Sequence, residues 1–390
     1  MTTTPTKVLC VVDYYLPGFM GGGPIRTIAN MRRLLAQDVN IAIFTRDRDL
    51  GAHKQYDEIQ SDTWTETKDG PVYYASPALF GVEGLKQATA GRHFHILYLN
   101  SFFGFRSSIQ IYLWARRAHP NLPILLAPRG EFSPGALAIK KFKKRVFLTF
   151  TRTLRLYRDI QWHASTAAEK NDILRQFPAT KDKVHLAADP VEVDFLGADN
   201  VNSPAFPMRS LRLVFISRIS PMKNLDGLLR ILANASHQLE LDVYGPIEDK
   251  PYWETCQSLI AKLPPNIAVS YKGSLVSEKV SAVFANYDLF AFPTHGENFG
   301  HVIFESLRAG TPVLVSDQTP WQTDASGAVT AIPLDDSGAW RAHLQAASDL
   351  TPQQKAHLRS AARTYAEDYI CHGDVAETNR AMFIAIADRH

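Results

Sequence analysis

The chain is predicted to be an α/β protein of two doubly wound parallel-sheet domains, with a cleft between their strand ends. Three observations predict it. Its 390 residues suit two domains, at roughly 150 residues each. Short apolar runs rich in β-branched residues alternate with amphipathic stretches, the pattern of βα repeats on a parallel sheet. The alternation lapses once, near the middle of the chain, and then begins afresh.

Taken in order, strands are expected at KVLCVV, VNIAIF, HILYL, PILLA and IQWHA, with a helix from Ile25 to Leu35 after the first. From Ala188 to Ser210, Pro190, Pro204 and Pro207 and the loss of periodicity mark a connection. Beyond it, LRLVFI, LELDVY, IAVSY, YDLFAF and TPVLVS are the second set of strands, with helices over Leu225 to Ala233 and Val302 to Ala309. Leu358, Ala362, Tyr365 and Tyr369 recur at helical spacing, and a last helix is expected from Val375 to Ala387. The domain reading is therefore 1–190, a linker over 191–210, 211–370, and a C-terminal helical segment, 371–390, packing back on the first domain.

Composition narrows the function classes. Hydrophobic residues are 45% and charged residues 21% of the chain, which places it with folded globular proteins and away from disordered or fibrous ones. With 42 Lys and Arg against 39 Asp and Glu, the charge is too balanced for a dedicated nucleic-acid coat. Cys10, Cys256 and Cys371 are scattered and form no CxxC pair, which argues for a reducing compartment and against a structural zinc site. The N-terminus lacks a secretory apolar core, and no apolar run approaches the roughly 18 to 20 residues that span a bilayer. A cytoplasmic protein is expected, with any membrane contact peripheral.

Three motifs carry chemistry. PGFMGGGPIRT, between the first strand and the first helix, has three successive glycines that allow close backbone approach to a ligand, and Pro24 suits the first turn of a helix whose N-terminus attracts anions. It is not GxGxxG, since Arg26 stands where a glycine is needed, and no Walker lysine follows; a plain βα turn is the bland reading. FISRISPMKN places Arg218 and Lys223 on the loop after the second domain's first strand, where two cations suit a diphosphate. PTHGENFGHVIFESLRAGTPVLVSD places Glu297 in a loop after a strand and Glu305 within the following helix. Their spacing of eight also occurs at Glu240 and Glu248, so context rather than spacing singles them out. Two carboxylates, two cations and helix N-termini suit a sugar nucleotide, whose hydroxyls donate to carboxylates.

With these motifs in this order, the chain resembles the retaining glycosyltransferase family 4 of the GT-B fold, two Rossmann-like domains, particularly members that build bacterial exopolysaccharide and lipopolysaccharide. The resemblance implies a hexosyltransferase that takes a nucleotide diphosphate sugar as co-substrate, uses no metal or other cofactor, and delivers the sugar to a glycan or polyprenyl-linked acceptor. It implies that Arg218 and Lys223 bind the donor diphosphate, and that Glu297 with Asn298, Phe299, Gly300 and His301 holds the sugar. Glu305 then holds the ribose, the loop with Gly273, Leu275 and Val276 flanks the base, and Gly22 and Gly23 approach the phosphates from the first domain. His295 lies in the same loop as Glu297, where ligand contact and neutral structural bonding are both open. One departure matters: where many relatives carry a histidine after the HILYL strand, this chain has Asn100, so that residue's role does not transfer.

On the acceptor side, Arg129 and Glu131 either pair with each other or meet acceptor, and acceptor is the expectation. From Phe132 to Arg158 there are eight basic residues, including Lys140, Lys141, Lys143 and Lys144, and no acidic one, while Phe142, Val146, Phe150 and Leu154 recur every fourth position. That pattern fits a basic amphipathic helix on an anionic membrane or a polyanionic acceptor, or a core-facing helix with a solvated basic back. A nucleotide-sugar epimerase and a non-catalytic nucleotide-sugar-binding subunit are the competing functions.

Overall fold

The computed structural model describes residues 5–191, 210–372 and 374–388. They form two compact units, one from Met1–Glu192 with Gly373–His390 and the other Val193–His372. In the first, the chain runs β1 (Thr6–Val11), α1 (Gly23–Leu34), β2 (Val39–Arg46), β3 (Trp64–Thr67), β4 (Gly70–Ala75), α2 (Val82–Thr89) and β5 (Ile96–Asn100). It continues through α3 (Gln110–Ala118), β6 (Ile124–Ala127), α4 (Pro134–Ala138), α5 (Lys141–Thr153), β7 (Gln161–Ala164), α6 (Ala167–Gln176) and β8 (Val184–Leu186). These strands make one sheet in the order β3-β4-β2-β1-β5-β6-β7-β8. Its seven inner and far strands are parallel, and only the edge strand β3 runs antiparallel to β4.

Side chains of neighbouring strands alternate between two apolar layers, because successive Cβ atoms leave a strand on opposite faces. Leu9, Val11, Phe44, Leu97 and Leu99 enter one layer, whereas Val8, Cys10, Ile41, Ile43, Ile96 and Tyr98 enter the other. A parallel sheet covered on both faces requires such unbroken apolar strands.

The second unit holds β9 (Leu211–Ile216), α7 (Leu225–Leu232), β10 (Leu239–Tyr244), α8 (Lys250–Ile260), β11 (Ile267–Tyr271), α9 (Ser277–Phe284) and β12 (Leu289–Phe292). It ends with α10 (His301–Arg308), β13 (Val313–Ser316), β14 (Val329–Ile332), α11 (Ser337–Ser348) and α12 (Pro352–His372). Its sheet is wholly parallel, ordered β11-β10-β9-β12-β13-β14. This is the doubly wound order in which the connection reverses between the first and fourth strands, so β9 and β12 flank the switch point where such sheets bind ligands. A final helix, α13 (Val375–Ala387), belongs to the first unit, where Met382, Phe383 and Ile386 join the layer behind β1 and β5. Phe383 meets Tyr98 edge-on at 5.6 Å.

All ten expected strands are present. Four were not expected: β3 and β4, joined by a short turn at the sheet edge, and the short β8 and β14. The expected parallel sheets are present, with β3 an antiparallel addition at the edge of the first. The linker expected over 191–210 lies, but for its end residues, outside the described residues. No described helix is long and apolar enough to cross a membrane.

Candidate active site

In the second unit the loops after β9 and β12 are neighbours, because those strands pair directly. The loop after β12 is held from inside: Ser316 Oγ donates to Thr294 O at 2.5 Å, and Thr294 Oγ1 donates to Met222 O at 3.1 Å. His295 N donates to Met222 O at 2.9 Å, which ties this loop to the one after β9. The consequence is an ion pair between Lys223 Nζ and Glu297 Oε1, both side chains only 12–13% exposed. Lys223 also lies over the Phe292 ring, 5.7 Å from its centroid.

Just beyond, Gly300 opens α10 at φ 83° and ψ 61°, a left-handed conformation that favours glycine. Trp321 Nε1 donates to Phe299 O at 2.6 Å and fixes the turn, while Phe299 packs on His301 at 4.8 Å. Asn298 has both amide atoms buried with no hydrogen-bond partner in the protein. Glu305 sits in the middle of α10, partly buried. Arg218 pairs with Glu248 at 2.9 Å, on the loop after β10. Gly273 takes φ 83° with open space around it, and its carbonyl accepts from Gly245 N at 2.9 Å. Leu275 is partly buried, Val276 is 40% exposed, and His295 is exposed.

In the first unit, Gly22 (φ 78°) caps α1, with Gly23 its first residue and Pro24 in its first turn. Asp49 Oδ2 accepts from the N–H groups of Phe19 and Met20, at 2.8 and 3.1 Å, and so secures the loop before the glycines. Asn100 ends β5 in the interior. Its Nδ2 donates to Cys10 Sγ at 3.2 Å, and its Oδ1 accepts from Arg129 Nε and Nη2 at 3.0 and 2.8 Å.

Arg129 is corrected from a residue facing acceptor to an internal one, its side chain 8% exposed. Besides Asn100 it reaches Asp189 Oδ1 at 2.6 Å and Tyr98 Oη at 2.6 Å. The relay has a direction. Arg129 donates to Tyr98, so Tyr98 donates to His163 Nδ1 at 2.6 Å, and His163 Nε2 donates to Ala187 O at 2.8 Å. That tautomer needs a neutral ring, and burial pulls the His163 pKa down to about 3.

Glu131 is likewise turned inward. It accepts from Ser101 Oγ at 2.8 Å and from the N–H groups of Phe102 and Phe103 at 2.5 and 3.1 Å, which holds Ser101 at φ 128°. Burial raises its pKa. Arg129 and Glu131 thus serve different partners rather than each other, because Arg129 turns through φ 55° and Gly130 through φ 77° between them.

Residues 198–326 match the family model "Glycosyl transferases group 1". The matched stretch contains Arg218, Lys223, Glu297 and Glu305. The D-inositol 3-phosphate glycosyltransferase of Streptomyces scabiei is 25% identical over 397 residues, spanning 95% of this chain and 88% of the relative. Among solved structures, Anabaena Alr3699/HepE in complex with UDP and glucose is similar with a TM-score of 0.71 at 15% identity, covering 98% of this chain and all of that one (100%). WaaG, a glycosyltransferase involved in lipopolysaccharide biosynthesis, is similar with a TM-score of 0.62 at 15% identity, over 98% of this chain and 99% of that one. The two Rossmann-like domains have the GT-B glycosyltransferase fold.

Sequence reasoning found the loops after β9 and β12 through their glycines and carboxylates but missed three residues that hold predicted site residues in place, two in the second unit and one in the first. Glu248 had served only as an example of uninformative spacing, yet it partners Arg218. Thr294 offered no signal beyond lying at a strand end. Asp189 lay in what read as the start of a connection, and its Oδ2 accepts from Thr27 Oγ1 of α1 at 3.2 Å. Among the described residues no group of three His, Cys, Asp or Glu side chains is placed to hold a metal ion.

Proposed function

We propose that the protein transfers a hexosyl group from a nucleotide diphosphate sugar to a glycan or lipid-linked glycan acceptor, with retention at the anomeric carbon, in the synthesis of a bacterial surface polysaccharide. The Lys223–Glu297 pair at the β9/β12 switch point carries the reading. A carboxylate held beside a cation on rigid loops can accept from sugar hydroxyls while the cation meets the departing diphosphate. Arg218, on the same loop as Lys223, adds a second cation, and Glu305 accepts from the ribose. UDP is the first nucleotide to test, since the HepE structure contains it.

Inversion would require a general base opposite the leaving group. A covalent route would require a carboxylate nucleophile there. Glu297 is assigned to the sugar hydroxyls, and Asn100 is bound internally to Arg129 and Cys10. Same-face substitution remains: the acceptor enters beside the leaving diphosphate, whose oxygen receives the acceptor's proton, while Lys223 and Arg218 stabilise the developing charge. Proton NMR of the first-formed glycoside tests this directly, and an inverted product would refute it.

The two carboxylates should divide the donor. Glu305→Ala is expected to weaken nucleoside diphosphate binding by about 1.5 to 3 kcal/mol, the worth of a hydrogen bond to a charged group. Glu297→Ala should spare the free diphosphate and weaken the sugar nucleotide. Calorimetry that finds equal losses for both ligands in both variants would refute the division. Because side chains and helix N-termini supply the positive potential, transfer is expected to survive EDTA. Abolition by EDTA with recovery on adding manganese would contradict that.

The acceptor is proposed to be met at the inner face of the cell membrane, which the basic stretch around Lys140, Lys141 and Lys143 approaches electrostatically. Lys144 is removed from that set. Its Nζ donates to Ala136 O at 2.6 Å and lies 5.0 Å from the Phe103 ring centroid, so it is an internal tie between α4 and α5.

A further inference from the structure

Helix α5 carries two apolar faces, and only one of them is covered. Leu148 and Thr151 are buried at 4% and 0% exposure, and Phe147 packs on Phe102 at 5.6 Å; with Lys144 they form the face turned to the first unit's core. The opposite face is a second stripe. Phe142 is 79% exposed, and Val146, Phe150 and Leu154 are each 54% exposed, with Ile139 just before the helix at 43%. At 3.6 residues per turn, Phe142, Val146 and Phe150 fall within an arc of about 80°. Lys143 borders the arc on one side and Arg145 and Arg152 on the other, and all three are exposed.

We infer that α5 is an interfacial helix that inserts Phe142, Val146, Phe150 and Leu154 into the acyl boundary of an anionic membrane leaflet, with Lys141, Lys143, Arg145 and Arg152 among the phospholipid headgroups. The inference deepens the membrane placement proposed above: the apolar stripe, rather than the lysines alone, holds the protein on the bilayer. Charge selects the occupant. A second copy of this face would set the exposed Lys141, Lys143, Arg145 and Arg152 against the same four cations, in a stretch with no acidic residue between Phe132 and Arg158, and like charges facing each other repel. A polyanionic glycan would satisfy the cations but leave four large apolar side chains in water. An anionic bilayer satisfies both at once, since it offers phosphates at the depth of the charges and hydrocarbon at the depth of the stripe. A stripe of this length lies in the surface and does not span it.

The test uses the full chain and vesicles of equimolar phosphatidylglycerol and phosphatidylcholine. Wild type should sediment with these vesicles and bind pure phosphatidylcholine more weakly. The triple variant Phe142→Ser, Val146→Ser, Phe150→Ser alters only exposed side chains, so its thermal midpoint should match wild type. Its partitioning should fall about a hundredfold, since each apolar side chain returned to water removes up to about a tenfold factor. Phe142→Trp should add emission that brominated acyl chains quench. Raising salt should weaken wild-type binding without abolishing it, because screening acts on the charges alone.

Failure of wild type to bind anionic vesicles would overturn both the membrane placement and the insertion. Equal binding by the triple variant, or added emission that brominated lipid leaves unquenched, would overturn the insertion alone and leave electrostatic docking. A wild-type dimer that the triple variant converts to a monomer, with vesicle binding unchanged, would assign the stripe to a second copy instead.

Discussion

Replacing Lys223 with methionine is expected to slow sugar transfer by about 10²- to 10³-fold, the usual loss when one preorganised charge at a developing anion is removed. Two effects combine. On the proposed reading, the departing diphosphate loses the cation that the loop after β9 would present to it. Glu297 also loses the partner that orients its carboxylate, since Lys223 Nζ is its ion-pair mate and Thr294 Oγ1 lies only at 3.5 Å. Methionine keeps the apolar stem over Phe292, so the variant should fold. Steady-state kinetics with UDP-glucose, or whichever donor the nucleotide screen selects, checks it. Transfer within a few-fold of wild type would remove Lys223 from the chemistry and leave it a structural tie between two loops.

Arg129→Met is expected to destabilise the first unit by about 3 to 5 kcal/mol, because breaking one side of a buried ion pair strands the other charge. The exposed fractions, 8% for Arg129 and 4% for Asp189, leave little water to compensate. The loss spreads further than one pair. Asn100 Oδ1 would lose two donors and Tyr98 Oη one, and the remaining acceptors lie at the C-terminal ends of β5 and β8. Urea denaturation reads the change. A midpoint equal to wild type would show that the network is solvated in solution and that Arg129 is free to serve acceptor after all.

These two residues show how unequally the site was legible. Lys223 announced itself because it lies in a loop between a strand and a helix, five positions from another cation, Arg218, in a chain whose strands could be counted. Arg129 also drew attention, through its PRGEF loop, but its direction was misjudged. Its principal partner, Asp189, is 60 positions away. Nothing in the local pattern distinguishes an arginine that turns outward from one that turns inward at a positive φ. Arg218 and Glu248 make the same point, since they meet only because β9 and β10 are neighbours in the sheet.

What the sequence determined by itself is everything that depends on short range. Alternating β-branched runs specified ten strands, glycine and proline specified the turns at Gly22 and Gly300, and an unbroken basic stretch specified an amphipathic helix. The edge strand β3 and the short strands β8 and β14 escaped because three or four partly buried residues carry too little pattern. Tertiary structure decided the rest, which is direction and partnership. The repeat of Phe142, Val146, Phe150 and Leu154 establishes that α5 has an apolar stripe, yet the same period serves a buried face and an exposed one. Only the packing of Phe147, Leu148 and Thr151 against the core turned that stripe outward, because a helix has one circumference and the sheet could cover only one side of it.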